Sequence, residues 1–180
     1  MSAGSATHGA YFARRRGRKH DDVTDPDVRA YLGGAQSRAA FARDLDEAGV
    51  PAATDSAGSF VIADRHTDAF LGTVSLTRRG VHRPGHLRPC GEELELAYTL
   101  NRPFWGRGVA YQAASAVLGA AAVELPDEPV IIVTQSANAR SLNLARRLGF
   151  EPVMTFEEFD AQQTLAVASL HGFRPQWATR

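Results

Sequence analysis

The residues with the clearest potential for chemistry lie in PFWGRGVAYQ, residues 103–112, where Gly106 and Gly108 flank Arg107. A strand-like run precedes this stretch and an alanine-rich helical pattern follows it, so the glycines stand at the start of a helix. Amides at a helix start bind anions, and the helix dipole adds about half a positive charge there. Glycine lets a ligand approach the backbone, and Arg107 adds a full charge. The pattern predicts a phosphate site, with a tight turn around a packed Trp105 as the alternative.

Two common nucleotide-binding patterns do not fit this loop. A Walker P-loop needs Gly-Lys-Ser/Thr after its glycines, and none follows here. The dinucleotide fingerprint G-x-G-x-x-G fails at Tyr111, and no acidic residue lies about twenty positions further on after a strand. The glycine loop is therefore neither of these two motifs.

The composition is ordinary for a single globular domain. The chain has 180 residues, with 44% hydrophobic and 22% charged residues. Its formal net charge is zero, so no overall field draws it to nucleic acid or to a membrane. The single cysteine, Cys90, excludes an intrachain disulfide and a multi-cysteine metal site, and the histidines are scattered, so we predict no metal. The absence of a signal pattern and of a membrane-length apolar run favours a cytoplasmic protein.

The N-terminal residues 1–22 have the character of a basic, flexible tail. RRRGRK at residues 14–19 predicts a solvated arm, and a contact to RNA, DNA or an acidic protein surface is the alternative. No aromatic residues are interleaved with these charges, so the signal for nucleic-acid binding by this tail is weak. Nucleic acid is not indicated elsewhere in the chain. We expect the domain to occupy residues 23–172 and a short C-terminal tail to occupy residues 173–180.

Hydrophobic periodicity and turn residues divide the domain into ten elements. The predicted order is ααβββαβαββ, a mixed α/β (α+β) fold around one sheet. The predicted helices are residues 25–34, 37–48, 106–123 and a segment between Asn138 and Gly149; the predicted strands are residues 59–64, 69–76, 93–100, 129–135, 153–159 and 163–170. Residues 65–68 and 160–161 are predicted turns, and residues 78–92 a loop.

Alternation in strand 93–100 sets Leu94, Leu96, Tyr98 and Leu100 on one side, with the glutamates on the other. The following helix carries a wide stripe of mostly small apolar residues, and strand 129–135 is continuously apolar. Strand, helix and strand together predict a right-handed βαβ unit.

Several segments in order resemble the GNAT N-acetyltransferases. WGRGVA fits the Q/R-x-x-G-x-G/A signature, with Trp105 in the first position, as in the RimJ/RimL-like (ribosomal-protein-alanine N-acetyltransferase-like) branch. DPDVRAYLGG is similar to that branch's first helical element, ELAYTLNRPFWGRG to its E-I-G-Y-x-L…W-G-K-G run, and NARSLNLARRLGFE to its N-x-x-S…L-G-F segment. The resemblance spans about residues 25–170. The family's first strand, L-x-L-R-P, has no clear counterpart, although residues 11–16 could be a degenerate version.

The resemblance implies a single GNAT-like domain with flanking helices, in which parallel strands 93–100 and 129–135 splay apart to admit acetyl-CoA. Trp105 would pack beside acetyl-CoA, and Asn138 would either contact the pantetheine or only cap its helix. The backbone of Tyr98 and Leu100 would bind the pantetheine arm, and the amides of Gly106, Arg107, Gly108, Val109 and Ala110 would bind the pyrophosphate.

The resemblance also implies catalytic roles. Glu95 would be the general base, with Glu93 or water as alternatives, and Ser141 would hydrogen-bond the leaving sulfur. A covalent route through Cys90 lacks a histidine partner in the sequence. Deprotonating a lysine at pH 7 costs about 4.6 kcal/mol, against about 1.4 kcal/mol for an α-amine, so an amine of low pKa needs less help from the base.

We therefore predict an acetyl-CoA-dependent N-acetyltransferase that moves an acetyl group to a primary amine by direct attack on the thioester. The acceptor could be a protein N-terminus or a small-molecule amine, and the chain a monomer or a homodimer. A non-catalytic acyl-CoA-binding regulatory module with the same fold is the alternative, and an RNA-associated protein guided by residues 14–19 is a third hypothesis.

Overall fold

The computed structural model describes residues 10–13, 30, 57–89 and 91–176. The two predicted helices at residues 25–34 and 37–48 lie outside the described residues except for Ala30, which is in a turn, and Cys90 also lies outside them. The described strands are β1 Ala10–Ala13, β2 Ser59–Asp64, β3 Phe70–Arg78, β4 Leu94–Leu100, β5 Pro129–Gln135, β6 Glu151–Glu158 and β7 Ala161–Ser169. The described helices are α1 Val109–Glu124 and α2 Ala139–Leu148, with 3-10 turns at Arg102–Phe104 and Leu170–Phe173.

All the described strands form one seven-stranded sheet in the order β1-β2-β3-β4-β5-β7-β6. Neighbours are antiparallel except β4 and β5, which are parallel and are linked by α1. The β4–β5 ladder has two register pairs, Leu94 with Val130 and Glu95 with Ile131. Beyond these pairs the two strands separate. The mixed α/β sheet with splayed parallel strands is therefore confirmed.

Helix α1 lies close to the sheet because its inner face is built from small residues. Ala113, Ala114 and Ala122 are fully buried, and Leu118 between them is buried too. In β5, Val130, Ile131 and Ile132 are buried, as the continuously apolar run predicted. Each fully buried branched side chain stabilises the fold by about 1.5–3 kcal/mol. This packing fixes the start of α1 beside the end of the sheet where β4 and β5 separate, a space that we call the β4–β5 gap.

Helix α2 begins and ends where the sequence predicted. The Asn138 side-chain oxygen accepts a hydrogen bond from the Ser141 amide at 3.2 Å, and Gly149 ends the helix with φ 93°. Strand β4 also shows the predicted alternation, with Leu94, Leu96 and Leu100 in the core.

The prediction of a flexible tail at residues 1–22 does not hold for Ala10–Ala13. These four residues form β1 and pair antiparallel with β2, from Ala10 opposite Asp64 to Ala13 opposite Val61. Backbone hydrogen bonds make this edge strand, and a strand of four residues has too short a pattern to recognise in sequence. It overlaps the alternative first strand at residues 11–16, while the basic run 14–19 lies outside the described residues.

Two further boundaries differ from the predictions. The β6–β7 turn lies at Phe159 and Asp160, both with φ 55°, so β7 begins at Ala161 and not at residue 163. Strand β6 begins at Glu151, two residues before the predicted start at residue 153. The predicted C-terminal tail begins too early at residue 173, because Phe173 packs against Phe150 with ring centroids 5.6 Å apart. Residues 177–180 lie outside the described part.

Candidate active site

The glycine loop before α1 depends on left-handed backbone conformations. Gly106 has φ 70° and Gly108, the residue that precedes α1, has φ 77°. A side chain at either position would be strained, yet a Cβ on Gly106 would meet nothing within 4 Å, and one on Gly108 only Gln112 Nε2 at 3.9 Å. The glycines are needed for conformation, and the surface beside them is open. Among the described residues, no side chain caps the first turn of α1, so its amides face this open surface.

Trp105 connects this loop to the end of β4. Its indole Nε1 donates a hydrogen bond to the Leu100 carbonyl at 2.8 Å, and its ring packs on the core. Trp105 is thus a packing residue of the core at the end of β4, and its position beside acetyl-CoA stays a prediction. One lone pair of the Leu100 carbonyl is already used, so any pantetheine contact at Leu100 shares that oxygen or uses the other backbone groups.

Three arginines stack on aromatic rings around the start of α1. The guanidinium groups lie 4.8–5.9 Å from the ring centroids, within the range of cation–π attraction. The pairs are Arg107 with Phe104, Arg140 with Trp105, and Arg147 with Tyr111. Sequence reasoning identified only Arg107, because the other two arginines come from α2, which folds against α1. Together they make the mouth of the gap positive.

Two hydroxyl groups, one from β4 and one from α2, meet beside the β4–β5 gap. Tyr98 Oη lies 2.7 Å from Ser141 Oγ, and Ser141 is held in the first turn of α2 by the Asn138 cap. Burial raises the pKa of the Tyr98 phenol, and the hydrogen bond with Ser141 offsets part of this rise. The sequence assigned only backbone contacts to Tyr98. Its side-chain contact joins residues 43 positions apart and leaves no sequence signal.

Glu95, the predicted base, lies where the β4–β5 ladder ends and is held by two arginines. Arg79 Nη1 donates to Glu95 Oε1 at 2.9 Å, and Arg83 Nη1 lies 3.5 Å from Glu95 Oε2. The Glu95 side chain is 14% exposed and that of Arg79 is fully buried. One carboxylate oxygen is thus firmly paired and the other is only weakly contacted.

Glu158 at the end of β6 completes this charge cluster. Arg79 Nη2 lies 3.2 Å from Glu158 Oε2, and Arg83 Nε donates to Glu158 Oε1 at 2.9 Å. The Pro84 carbonyl accepts from Arg79 Nε at 3.0 Å, which ties the loop between β3 and β4 to the cluster. Burial raises the pKa of Glu158, but Arg83 and Arg79 outweigh burial and hold the pKa below its usual value. Two carboxylates and two guanidinium groups therefore balance in charge.

Glu93, the alternative base, is more tightly held than Glu95. Its Oε2 lies 2.7 Å from His86 Nδ1, and its Oε1 accepts from the Leu87 amide at 2.9 Å. Burial raises the pKa of Glu93, but the hydrogen bonds from His86 and Leu87 outweigh burial, so the pKa is lowered. Both of its oxygens face the loop before β4, and only 6% of the side chain is exposed.

The structure brings the predicted residues together around the separating ends of β4 and β5. Tyr98, Ser141 and Asn138 lie across the gap, the glycine loop lies at the start of α1, and Glu95 lies at the end of the ladder. Within the described residues, no group of three or more histidine, aspartate or glutamate side chains could hold a metal ion. Nor is any helix in this part of the chain long and apolar enough to cross a membrane.

A mixed sheet that opens between two parallel strands beside a glycine-led helix defines the class as an acetyltransferase fold, and comparisons with known proteins agree. The family profile described as Acetyltransferase (GNAT) domain matches residues 18–151. The chain therefore belongs to the GNAT acetyltransferase family, whose members use acetyl-CoA. No curated protein sequence matches the chain significantly.

Solved structures show the same fold at low sequence identity. An acetyltransferase of the GNAT family from Bacillus anthracis has a TM-score of 0.64 and 16% identity, over 84% of this chain and 86% of that one. Spermidine N-acetyltransferase from Vibrio cholerae, in complex with CoA and spermine, has a TM-score of 0.62 and 14% identity, over 88% and 95%. RimL, a ribosomal L7/L12 α-N-protein acetyltransferase in complex with CoA, has a TM-score of 0.54 and 15% identity, over 76% and 75%.

Proposed function

We propose that this protein transfers an acetyl group from acetyl-CoA to a primary amine, with a protein N-terminus or a small-molecule amine as acceptor, by direct attack of the amine on the thioester. The observation that carries the proposal is the two-pair β4–β5 ladder, which leaves the inner edges of both strands open beside the glycine loop. The resemblance of WGRG and its neighbouring segments to the RimJ/RimL-like branch supports it.

The open groups around the gap fit an acyl-CoA. The amides that follow Gly106 and Gly108 would hold the pyrophosphate at the start of α1, where the dipole and Arg107 favour negative charge. The backbone groups of Tyr98 and Leu100 that face the gap would hold the pantetheine amides, with the Leu100 carbonyl shared with Trp105 and with Asn138 on the opposite side. Acetyl-CoA supplies the activated acetyl group.

Glu95 is the better of the two candidate bases. Its Oε2 has only a 3.5 Å contact with Arg83, so this oxygen can still accept a proton, directly or through water. Both oxygens of Glu93 have partners at 2.9 Å or less and lie inside the loop. We therefore assign Glu95 as the base and Glu93 as a residue that shapes the acceptor side.

The acceptor is expected to be an amine whose pKa lies near that of an α-amino group. The candidate base is a carboxylate, which is a weak base in general, and only its Oε2 is without a firm partner. A weak base suffices for an α-amine, which costs about 1.4 kcal/mol to deprotonate at pH 7, but not for lysine at about 4.6 kcal/mol. A carboxylate base thus favours a protein N-terminus or a comparable small amine over a lysine side chain.

A thiol-release assay with acetyl-CoA tests the proposal against a panel that contains an N-terminal peptide amine, a lysine peptide blocked at its N-terminus, spermidine and simple amines. Glu95→Gln should slow turnover by roughly 100-fold or more, and the defect should shrink as the pH approaches the pKa of the amine. Ser141→Ala should cost about 10-fold, because one hydrogen bond to the leaving group is lost. Both variants should bind acetyl-CoA nearly as well as the wild type in calorimetry.

Glu92→Gln provides the matched control, since Glu92 is an exposed carboxylate just before β4. It should leave turnover unchanged. An unchanged rate for Glu95→Gln would move the base to Glu93 or to water. Both glutamates are engaged by neighbouring side chains, Glu95 by Arg79 and Arg83 and Glu93 by His86, and this favours the second candidate, a non-catalytic acyl-CoA-binding module. Acetyl-CoA binding without turnover of any amine would establish that alternative.

A further inference from the structure

The contact between Tyr98 and Ser141 is a short hydrogen bond between two partly buried hydroxyls. The oxygens are 2.7 Å apart, typical of a well-formed O–H···O bond. Tyr98 lies in the part of β4 that has separated from β5, and Ser141 lies in α2, which follows β5, so the bond lies beside the gap in which the proposed thioester would sit. The Ser141 carbonyl, at 3.5 Å from Tyr98 Oη, is too distant to compete.

The direction of this hydrogen bond follows from the chemistry of the two groups. A phenol, with a pKa near 10, is a stronger hydrogen-bond donor than an aliphatic alcohol, and a serine hydroxyl accepts readily. When Tyr98 donates to Ser141 Oγ, the serine hydrogen remains free to point elsewhere. The Asn138 cap holds the Ser141 backbone in place, and among the described residues Tyr98 is the only hydrogen-bond partner of Ser141 Oγ, so the serine hydrogen is free to turn toward the gap.

We propose that Tyr98 is a positioning residue for the transfer reaction: its phenol donates to Ser141 Oγ and so directs the Ser141 hydrogen toward the leaving sulfur of acetyl-CoA. This inference rests on the proposed function. It assigns a side-chain role to a residue for which the family resemblance implied only backbone contacts.

The proposed arrangement balances without a proton leaving Tyr98. When the carbon–sulfur bond breaks, the thiolate accepts a hydrogen bond from Ser141, and Ser141 accepts one from Tyr98. A chain of two hydroxyls polarises each member, so the outer bond becomes stronger than a lone serine could make it. The proton that finally neutralises the thiolate is the one that the amine nitrogen releases to Glu95 or to water. Burial of Tyr98 keeps its phenol protonated, and so able to donate, beyond the usual pH range.

Kinetics with the best amine acceptor test the proposal. Tyr98→Phe keeps the ring and removes the hydroxyl, so kcat should fall about 10-fold while acetyl-CoA binding and its KM change little. Because Tyr98 acts through Ser141, the double variant Tyr98→Phe/Ser141→Ala should be no slower than Ser141→Ala alone. Ser141→Thr keeps the hydroxyl and should retain most of the dependence on Tyr98. Losses that multiply in the double variant, or an unchanged kcat for Tyr98→Phe, would overturn the inference.

Thr164→Val is the control, because it removes one hydroxyl from a different pair, Thr164 Oγ1 and Ser136 Oγ at 2.7 Å, and it should keep the wild-type kcat. If Tyr98→Phe fails to fold, 3-fluorotyrosine placed at position 98 retains both ring and hydroxyl and lowers the phenol pKa. The fall of kcat at high pH should then move to lower pH, which a purely structural role would not produce; an unmoved profile would contradict the proposal.

Turnover by the wild type with an unaffected Tyr98→Phe refutes this inference alone, whereas no turnover with any amine refutes the proposed function and the inference together.

Discussion

Replacing Arg79 by Met tests the reasoning about the charge cluster most directly. The Arg79 side chain is fully buried, and its guanidinium contacts Glu95, Glu158 and the Pro84 carbonyl. Methionine fills a similar volume but leaves two carboxylates, 14% and 8% exposed, with Arg83 as their remaining cation. Removing one partner of a buried ion pair typically costs 3–5 kcal/mol, because the opposite charge stays buried without compensation.

For a domain of this size, a loss of about 3–5 kcal/mol corresponds to a fall in Tm of roughly 6–20 °C. Thermal unfolding followed by circular dichroism, with urea unfolding at pH 7, measures both quantities. The adjacent Arg78 is the matched control, because it also pairs with a carboxylate, that of Glu128, but its side chain is 49% exposed. Arg78→Met should cost at most about 1 kcal/mol.

Protonation should modulate the Arg79→Met effect in a defined direction. The pKa of Glu158 is lowered in the folded protein, so its contribution to stability is present above the unfolded pKa and is lost as the pH falls through the folded pKa. The gap in stability between the wild type and Arg79→Met should therefore narrow in acid. Equal losses for Arg79→Met and Arg78→Met at pH 7, or a gap that widens in acid, would refute this account of the cluster.

Two further predictions follow from the glycine loop and from Glu93. Gly108→Ala should destabilise the protein by about 1–2 kcal/mol, because Gly108 has a left-handed conformation with φ 77°. The substitution should also weaken acetyl-CoA binding in calorimetry, and unchanged stability and binding would contradict the role of the loop. Glu93→Gln should cost about 1.5–3 kcal/mol at pH 7 through the charged hydrogen bonds to His86 and Leu87. Since the pKa of Glu93 is lowered on folding, this cost should diminish as the pH falls. Urea unfolding from pH 7 to pH 3 that shows a constant difference in stability would count against these hydrogen bonds.

Local signals in the sequence predicted the elements that build the gap. Strand β5 at Pro129–Gln135 was predicted to the residue, because a continuously apolar run between turn residues has few alternatives. The limits of α2 were equally clear, since a capping Asn138 and a left-handed Gly149 act within one turn of the chain. The family resemblance, and not the periodicity, supplied the splay of the strands and the roles of Glu95 and Ser141.

The contacts that define the chemistry of the site were beyond sequence reasoning. Glu95 was predicted as a catalytic carboxylate with no partner named, yet it lies against Arg79, 16 residues earlier, and shares that arginine with Glu158. Ion pairs and hydroxyl contacts between distant residues carry no periodicity, and loop residues such as Arg83 have no pattern that shows which way they fold. The hydroxyl contact between Tyr98 and Ser141 was missed for the same reason.

The short β4–β5 ladder also has a consequence for how the chain folds. It divides the sheet into two antiparallel blocks, which are β1–β2–β3–β4 and β5–β7–β6 with α2. Each block is held by continuous antiparallel ladders, whereas joining the blocks relies on two register pairs and on α1. We expect native-state hydrogen exchange to reveal two cooperative units, and the amides of the β4–β5 ladder should be the first to exchange. A bound acyl-CoA that contacts both units would then make them open as one cooperative unit.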